Sequence, residues 1–206
     1  MRKSFLFGIL FFLGSVASVT ADGSHETLTS GPWKGTIIDI ETKEPLEGVV
    51  VLAVWDRAYR TPAGDNTYFY EAKEVLTDKE GRFEIPSYRP INLLPIISYI
   101  KGPYFTFFKP GYLSLSSVGF ADFFLEGTKE EPLERKNISG KTFRIAPGII
   151  ELPKLKTREE RLQAQSNALP LAEVPDEKMS ALLNLINAER INLGLDPTHV
   201  RRSNKE

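Results

Sequence analysis

Side chains able to catalyse reactions are few and far apart in this sequence. The chain contains two histidines, His25 and His199, and no cysteine. A hydrolytic triad needs a base held in fixed geometry beside its nucleophile, and both histidines lie close to an end of the chain, where order is poorest. Zinc sites need several nitrogen or sulfur ligands at workable spacing. We therefore predict no catalytic residue, no metal site and no cofactor.

Carboxylates are the remaining candidates for chemistry. Four aspartates lie where the sequence predicts strand ends or turns: Asp39, Asp56, Asp65 and Asp78. Aspartate in a turn commonly accepts hydrogen bonds from nearby backbone amides, and we predict that role for all four. A calcium site is an alternative because hard cations bind carboxylate oxygen, but the D-x-D-x-D-G spacing is missing. A pair of carboxylates serving a glycosidase-like hydrolase is a further alternative.

The tyrosines are more informative about function than the carboxylates. They cluster around two segments, 56–67 and 86–103, which we expect to be loops. A tyrosine ring combines apolar area with a hydrogen-bonding tip, which suits it to sugar rings or to a protein partner. Alternate residues of a strand face the core, so about half of these rings are expected to be structural. We predict a binding surface drawn from Tyr59, Tyr68, Tyr70, Tyr88, Tyr99 and Tyr104.

Runs rich in β-branched and aromatic residues predict the strands that position these side chains. The expected strands cover 33–40, 46–55, 68–77, 82–85, 104–109 and 112–117, and the last strand material is expected over 141–155, with IIEL at 149–152. Residues 49–54 are apolar on both faces of the pleat, which is typical of a central strand covered on both sides. Short strands separated by turns predict a mainly β fold of the Greek-key β-sandwich type.

The turns between these strands have recognisable chemistry. In the stretch VLTDKEGRFEIP, Asp78 can accept hydrogen bonds from backbone amides, and Gly81 can adopt the left-handed conformation that closes a hairpin. Gly111, which follows Pro110, ends the strand over 104–109. These three residues, Asp78, Gly81 and Gly111, are therefore predicted to be structural.

After residue 155 the pattern changes from strand to helix. Thr157 and Glu160 match a capping box at the start of a first helix. A second helix is predicted over 176–193, with an apolar face formed by Met179, Leu182, Leu183 and Ile186. We expect this face to pack on the sandwich; docking on a partner is the alternative. Residues 119–134 are expected to form a helical turn within a long loop.

The first 21 residues have the pattern of an export signal. Two basic residues precede an apolar run over 5–13, and Val19-Thr20-Ala21 fits a small-x-small cleavage site. We predict cleavage after Ala21, a flexible lead-in over 22–32, and a periplasmic or secreted location. Retention of the segment as an anchor is the alternative. Because a membrane span takes about 20 apolar residues, we expect no stable span after signal removal.

Charge and length limit the remaining possibilities. The chain carries 26 basic and 27 acidic residues, whereas a nucleic-acid-binding protein shows a clustered basic surface. We therefore predict no nucleic-acid partner. The length suits one domain with an appendage, which we place as a β-sandwich over 33–155 and helices with a tail over 156–206.

Three motifs, in order along residues 33–117, resemble the carboxypeptidase regulatory-like domains. The sequence GTIIDIETKEPLEGVVV at 35–51 resembles their opening hairpin, TDKEGRF at 77–83 resembles T-D-x-x-G-x-F, and KPGY at 109–112 resembles a later strand end. The resemblance implies a transthyretin-like sandwich of about seven strands. It implies an accessory or adhesive module and does not imply an enzyme.

We therefore expect an exported, non-enzymatic binding or accessory module of the cell envelope. It would recognise a protein or a glycan through the segments 56–67 and 86–103. A carbohydrate-binding or carbohydrate-active protein is the first alternative, and an uncharacterised carboxylate-dependent hydrolase is the second.

Overall fold

The computed structural model describes residues 30–119, 133–136, 140–146, 148–169 and 173–197. The predicted signal peptide, residues 22–29 of the predicted lead-in, both histidines and most of the predicted 119–134 loop lie outside these ranges. The described chain is mainly β, as predicted, and has two sheets and two α-helices.

Nine strands are present in the described residues. They are β1 (Trp33–Asp39), β2 (Val50–Thr61), β3 (Gly64–Leu76), β4 (Arg82–Ile85), β5 (Ser98–Phe108), β6 (Leu115–Gly119), β7 (Leu133–Lys136), β8 (Thr142–Ala146) and β9 (Ile149–Leu152). The sequence predicts about seven; β7 lies outside every predicted strand, and β8 lies within the strand material predicted over 141–155. Their sequences, LERK and TFRIA, are too short to give a clear alternation, and they pair with each other antiparallel.

The strands form a five-stranded sheet, in the order β4-β1-β9-β8-β7, and a four-stranded sheet, in the order β3-β2-β5-β6. Strand β1 pairs antiparallel with β4 and parallel with β9. Strand β2 lies between β3 and β5 and pairs antiparallel with both. The three longest strands, β2, β3 and β5, belong to the four-stranded sheet. This sheet also carries most of the tyrosines predicted to form the binding surface.

Large aromatic side chains fill the space between the two sheets. The rings of Trp33 on β1 and Trp55 on β2 lie 5.4 Å apart, and those of Phe83 on β4 and Phe107 on β5 lie 6.1 Å apart. All four residues are buried. Tilted and edge-on ring pairs at these distances stabilise a core beyond the area that they bury, so these contacts fasten one sheet to the other.

The opposite face of the four-stranded sheet is covered by the C-terminal segment. Two helices follow the strands, α1 (Arg158–Ser166) and α2 (Ser180–Asn192). Alternate residues of β2, with one residue each from β3 and β5, form a second buried cluster with α2 and the residues before it: Val50, Leu52, Val54, Ala72, Phe108, Ala168, Val174, Met179, Leu182, Leu183 and Ile186. The apolar face of α2 thus packs on this chain's own sheet, which explains why residues 49–54 are apolar on both faces.

Side-chain capping fixes where the helices begin. Thr157 and Glu160 form the predicted capping box at the start of α1. The start of α2 is capped from the sheet, because the Glu74 carboxylate on β3 accepts hydrogen bonds from the amides of Ala181 (2.8 Å) and Leu182 (3.2 Å). A carboxylate at a helix N-terminus also meets the positive end of the helix dipole. This contact ties α2 to the edge of the sheet.

The predicted hairpin at 77–83 is instead a turn between the two sheets, because β3 and β4 lie in different sheets. Three predicted boundaries were also wrong. Residues 56–67 are not a loop: β2 and β3 continue through them, and only Pro62 and Ala63 turn the chain. The 86–103 segment is irregular only to residue 97, because β5 begins at Ser98. The predicted 176–193 helix starts as a 3₁₀ turn over Asp176–Lys178 before α2 begins at Ser180.

Candidate functional site

The end of the β2–β3 hairpin is the element on which the candidate site is built. Pairing runs to Thr61 and Gly64, so two residues suffice for the turn. Proline fits there because it has no amide to donate to the ladder. Residues 62–68 are exposed, so the end of the hairpin lies outside the core. Strand β5 pairs alongside β2 as far as Ser98 and brings the segment before it to this same end.

Residues 90–97 form what we call the apolar loop, which precedes β5. It exposes five large aliphatic side chains: Ile91, Leu93, Leu94, Ile96 and Ile97. Leu93 is 82% exposed and Ile96 is 87% exposed. Single exposed aliphatic residues are ordinary on a protein surface, but a contiguous group is typical of an interaction site. Residues 86–97 contain no acidic side chain.

The polar atoms of the apolar loop are used to close it. The Asn92 side-chain oxygen accepts hydrogen bonds from the Ser98 hydroxyl (2.9 Å) and the Leu94 amide (3.2 Å). The Asn92 side-chain nitrogen donates to the Ser98 carbonyl oxygen at 2.8 Å. The amides of Ile97 and Ser98 both donate to the Leu94 carbonyl oxygen. The one amide side chain of the loop is thus turned to its own backbone.

Residues of the β2–β3 hairpin form hydrogen bonds with the backbone of the apolar loop. Arg60 Nη1 donates to the Ile96 carbonyl oxygen at 3.1 Å, and the Arg60 amide donates to that of Ile97 at 2.9 Å. The Tyr70 hydroxyl donates to the Ile91 carbonyl oxygen at 2.9 Å. Side chains of two strands therefore fix the conformation of the loop, while its aliphatic groups remain in solvent.

Four of the predicted tyrosines form two pairs on the hairpin and the segment facing it. The rings of Tyr59 and Tyr68 lie 5.9 Å apart, edge to face. Tyr70 and Tyr88 share a side-chain hydrogen bond, and burial together with that bond raises the pKa of Tyr88 to about 12. The Tyr88 ring also packs edge-on against Trp55 at 4.9 Å. Tyr70 and Tyr88 are therefore partly core residues, and Tyr68 is an exposed one.

The other two predicted tyrosines lie elsewhere. Arg60 and Lys101 cover the ring of Tyr99, at 5.0 and 5.2 Å from its centroid. Arg60 and Tyr99 lie on the same face of the sheet, because they are in contact. Tyr59 is the neighbour of Arg60 in β2 and therefore points to the opposite face. Tyr104 lies further along β5, opposite Val54 of β2. The six tyrosines are thus not brought together into one platform.

Two of the four aspartates stabilise turns. Asp39 Oδ1 accepts from the amides of Glu41 (2.7 Å) and Thr42 (3.0 Å). Burial alone would raise the pKa of Asp39, but these amides and the Tyr112 hydroxyl outweigh it and lower that pKa. Asp78 Oδ1 accepts from the Arg82 amide at 2.8 Å, and this bond contributes most to lowering the pKa of Asp78. These contacts are those of turn residues.

The other two aspartates lie on the hairpin beside Lys101. Asp65 accepts a short hydrogen bond from the Tyr99 hydroxyl and lies 3.5 Å from Lys101; the tyrosine bond contributes most to lowering the pKa of Asp65. Asp56 is buried, and burial raises its pKa although Lys101 opposes the shift. Among the described residues, Asp56 Oδ1 has no hydrogen-bond partner. The carboxyl is confined within the sheet, where β2 changes register.

The described surface also contains a groove away from the hairpin. An open groove of about 710 Å³ is lined by Asp39, Lys109, Tyr112 and Lys154 together with the 41–48 turn. The part of the chain that the structure describes contains no group of three or more His, Asp or Glu side chains able to hold a metal ion. Among the same residues, none of the helices is long and apolar enough to cross a membrane.

Comparisons with known proteins do not assign the chain to a family. No family model matches it, and no curated protein matches it. A solved structure, a 9R-lipoxygenase from Cyanothece PCC8801, is 12% identical with a TM-score of 0.20, and the alignment covers 75% of this chain and 24% of the lipoxygenase. A similarity of that size supports no conclusion about fold or activity.

The predicted recognition segment 86–103 contains the apolar loop, but the prediction chose tyrosines and missed the aliphatic side chains, although a signal for them was present. The sequence INLLPII has six aliphatic or proline residues in seven, without the period of two that indicates a half-buried strand or the period of 3.6 that indicates a helix. An apolar run without periodicity, bounded by Pro90 and interrupted by Pro95, is an unusual composition for a surface segment. Tyr88 and Tyr99, which belong to the predicted binding surface, flank this loop and are not part of it.

Proposed function

We propose that this chain is an exported, non-catalytic binding module that engages a partner at the cell envelope through its apolar loop. The observation that carries the proposal is the group of five exposed aliphatic side chains on a loop held in place by Arg57, Arg60 and Tyr70. Export is supported by the signal-like pattern of the first 21 residues.

The energetics of the loop favour a binding role. Fully burying a leucine or isoleucine side chain stabilises a fold by about 1.5–3 kcal/mol. Five such side chains left in solvent therefore represent several times that amount of unused stabilisation. A surface of this kind is also a liability for aggregation. Ordered, exposed aliphatic groups are explained if a partner covers them in the working state.

The proposal includes a transthyretin-like β-sandwich of the carboxypeptidase regulatory-like type. In its support, the 77–83 motif forms a turn between β3 and β4, and the 109–112 motif follows β5. The 35–51 motif covers most of β1 and the start of β2, but these strands lie in different sheets and do not form the hairpin that the resemblance implies. Members of that class act as accessory or adhesive units. The apolar loop is an insertion between β4 and β5 that such a unit can use for recognition.

The alternatives have less support from the geometry. A glycan platform needs free tyrosine faces, but Arg57 covers Tyr70, Lys73 covers Tyr88, and both Arg60 and Lys101 cover Tyr99. A carboxylate-dependent hydrolase needs two converging acids, but Asp39 and Asp78 are saturated by turn amides. The sugar and hydrolase alternatives therefore rank below the binding module.

The test compares two double variants of the full chain, expressed in its own source. Leu93→Ser with Ile96→Ser removes the most exposed part of the apolar loop. The control is Leu76→Ser with Ile191→Ser, which removes exposed aliphatic side chains outside the loop. We expect the first variant to lose association with the envelope fraction by at least about tenfold, which corresponds to 1.4 kcal/mol, and the control to behave as wild type. If both retain wild-type association, the proposal is wrong.

A further inference from the structure

We infer that the partner of the apolar loop is a lipid surface that carries anionic headgroups, into whose interfacial region the loop inserts. This inference rests on the proposed function and names its partner. It depends on the side chains of the loop, on its hydrogen bonding, on the charges around it and on where the N-terminal segment joins the fold.

The side chains of the apolar loop suit a lipid surface better than a protein pocket. The most exposed residues of the loop, Leu93 and Ile96, are aliphatic. Anchors that fill protein pockets are enriched in tryptophan, tyrosine and arginine. Aliphatic groups that enter the headgroup and acyl boundary, with basic residues behind them, are the pattern of interfacial membrane binding.

Part of the polar backbone of the loop is already paired within the protein, which favours its insertion. Polar backbone groups that enter a bilayer need partners within the protein. The amides of Ile91, Leu94 and Ile97 all donate to atoms of the protein. Pro90 and Pro95 have no amide to satisfy. The carbonyl oxygens of Ile91, Pro95, Ile96 and Ile97 accept bonds from the hairpin.

Charges around the loop complement an anionic surface. Arg57 Nη2 lies 3.5 Å from the Ile91 carbonyl oxygen and Arg60 Nη1 lies 3.1 Å from that of Ile96, so two guanidinium groups lie at the base of the aliphatic side chains. Arg89 precedes the loop directly. On the facing strand Asp65 is paired with Lys101. Basic side chains near anionic lipids contribute attraction that acts within a Debye length.

The N-terminal segment enters the fold at the same end of the molecule. The amide of Tyr88 donates a hydrogen bond to the carbonyl oxygen of Ser30 at 2.7 Å, and Tyr88 lies two residues before Pro90. Residues 22–29 connect Ser30 to the signal-like segment, and eight residues reach about 29 Å at full extension. If the segment is retained as an anchor, which is the alternative to cleavage after Ala21, it would hold this end of the fold beside the membrane.

The test uses the full chain and exploits its lack of native cysteine. An environment-sensitive dye is attached at Leu93→Cys or, as the control, at Ile191→Cys. The probes are vesicles of phosphatidylcholine alone and vesicles that also contain phosphatidylglycerol. We expect a blue shift and reduced quenching by aqueous iodide at position 93 with the anionic vesicles, no change at position 191, and weaker binding at high salt.

Sedimentation with the same vesicles gives the second readout. Leu93→Ser with Ile96→Ser should reduce binding by about tenfold or more, while Ile191→Ser should match wild type; the N-terminal segment is the same in all variants. No shift at position 93, or equal binding of the double variant, would overturn the lipid inference. If envelope association nevertheless depends on the loop, the proposed function stands with a protein partner; if it does not, both proposals fail.

Discussion

Arg60 and Ile96 are joined by a hydrogen bond of 3.1 Å, from the guanidinium of a strand residue to the backbone of an exposed loop. The contact matters because Ile96 is the most exposed large aliphatic residue described in the fold. The aliphatic side chains of the apolar loop are exposed to solvent and cannot order the loop by packing. Hydrogen bonds from the hairpin order it instead.

Replacing Arg60 should loosen the apolar loop without unfolding the sheet. Arg60→Gln removes the guanidinium and should destabilise the loop by about 0.5–1.5 kcal/mol, the usual value of a hydrogen bond. Amide hydrogen exchange at Ile97 and Ser98 should accelerate, since both amides close the loop on Leu94. Arg144→Gln, which removes another surface guanidinium, is the control. Unchanged exchange in Arg60→Gln would show that the loop is ordered by other means.

Gly81 should tolerate a side chain much less well than Gly111. Both have positive φ, 71° and 78°, which costs about 1–2 kcal/mol for an L-residue. A Cβ on Gly81 would also lie 2.5 Å from the Ile37 carbonyl oxygen, whereas a Cβ on Gly111 would meet nothing within 4 Å. Urea unfolding should therefore show a clearly larger loss for Gly81→Ala than for Gly111→Ala. Equal losses would contradict the close approach of the turn to β1.

Glu74 should matter for the docking of α2. Glu74→Ala leaves the first amides of the helix without their carboxylate, and loss of a helix N-cap costs about 1 kcal/mol. Thermal unfolding should show this loss. Glu84→Ala, an exposed carboxylate paired with Lys34 on the other sheet, should stay within about 0.5 kcal/mol of wild type. Equal effects from the two substitutions would mean that the helix is held by its apolar face alone.

Stability should fall at high pH because of Tyr88 and Tyr112. Burial, with a hydrogen bond to Tyr70 or Asp39 respectively, raises the pKa of each to about 12, whereas an unfolded tyrosine has a pKa of about 10. Between these values the unfolded chain binds fewer protons than the folded one, so the free energy of unfolding decreases as pH rises. In the Tyr112→Phe variant, the free energy of unfolding measured by urea titration should decrease less steeply with pH. An identical slope in that variant would contradict the shift.

Much of the fold follows from local patterns that the sequence displays. The β-branched and aromatic runs predict β1 to β6, and the strand material predicted over 141–155 contains β8 and β9. Thr157 with Glu160 predicts the start of α1. These patterns work because each depends on residues close in the chain. The apolar positions 179, 182, 183 and 186 likewise predict the buried face of α2.

What the sequence did not indicate depends on contacts between distant segments. Pro62, Gly64, Asp65 and Asn66 favour a loop locally, but strand pairing and the Tyr59–Tyr68 ring contact extend the hairpin through them. The tyrosines predicted as a platform are divided between two faces, because sheet register decides which side each ring occupies. The order of the apolar loop depends on Arg60 and Tyr70, some 20 to 36 positions away.

The most direct test of the central claim is photo-crosslinking from the apolar loop in living cells of the source. A photoreactive amino acid replaces Leu93 in one full-length variant and Ile191 in another; both side chains are exposed, but only the first belongs to the loop. The account predicts strong adducts from position 93, to lipid or to one dominant protein, and weak or scattered ones from position 191. Equal labelling from the two positions would contradict the claim that the apolar loop is the recognition surface.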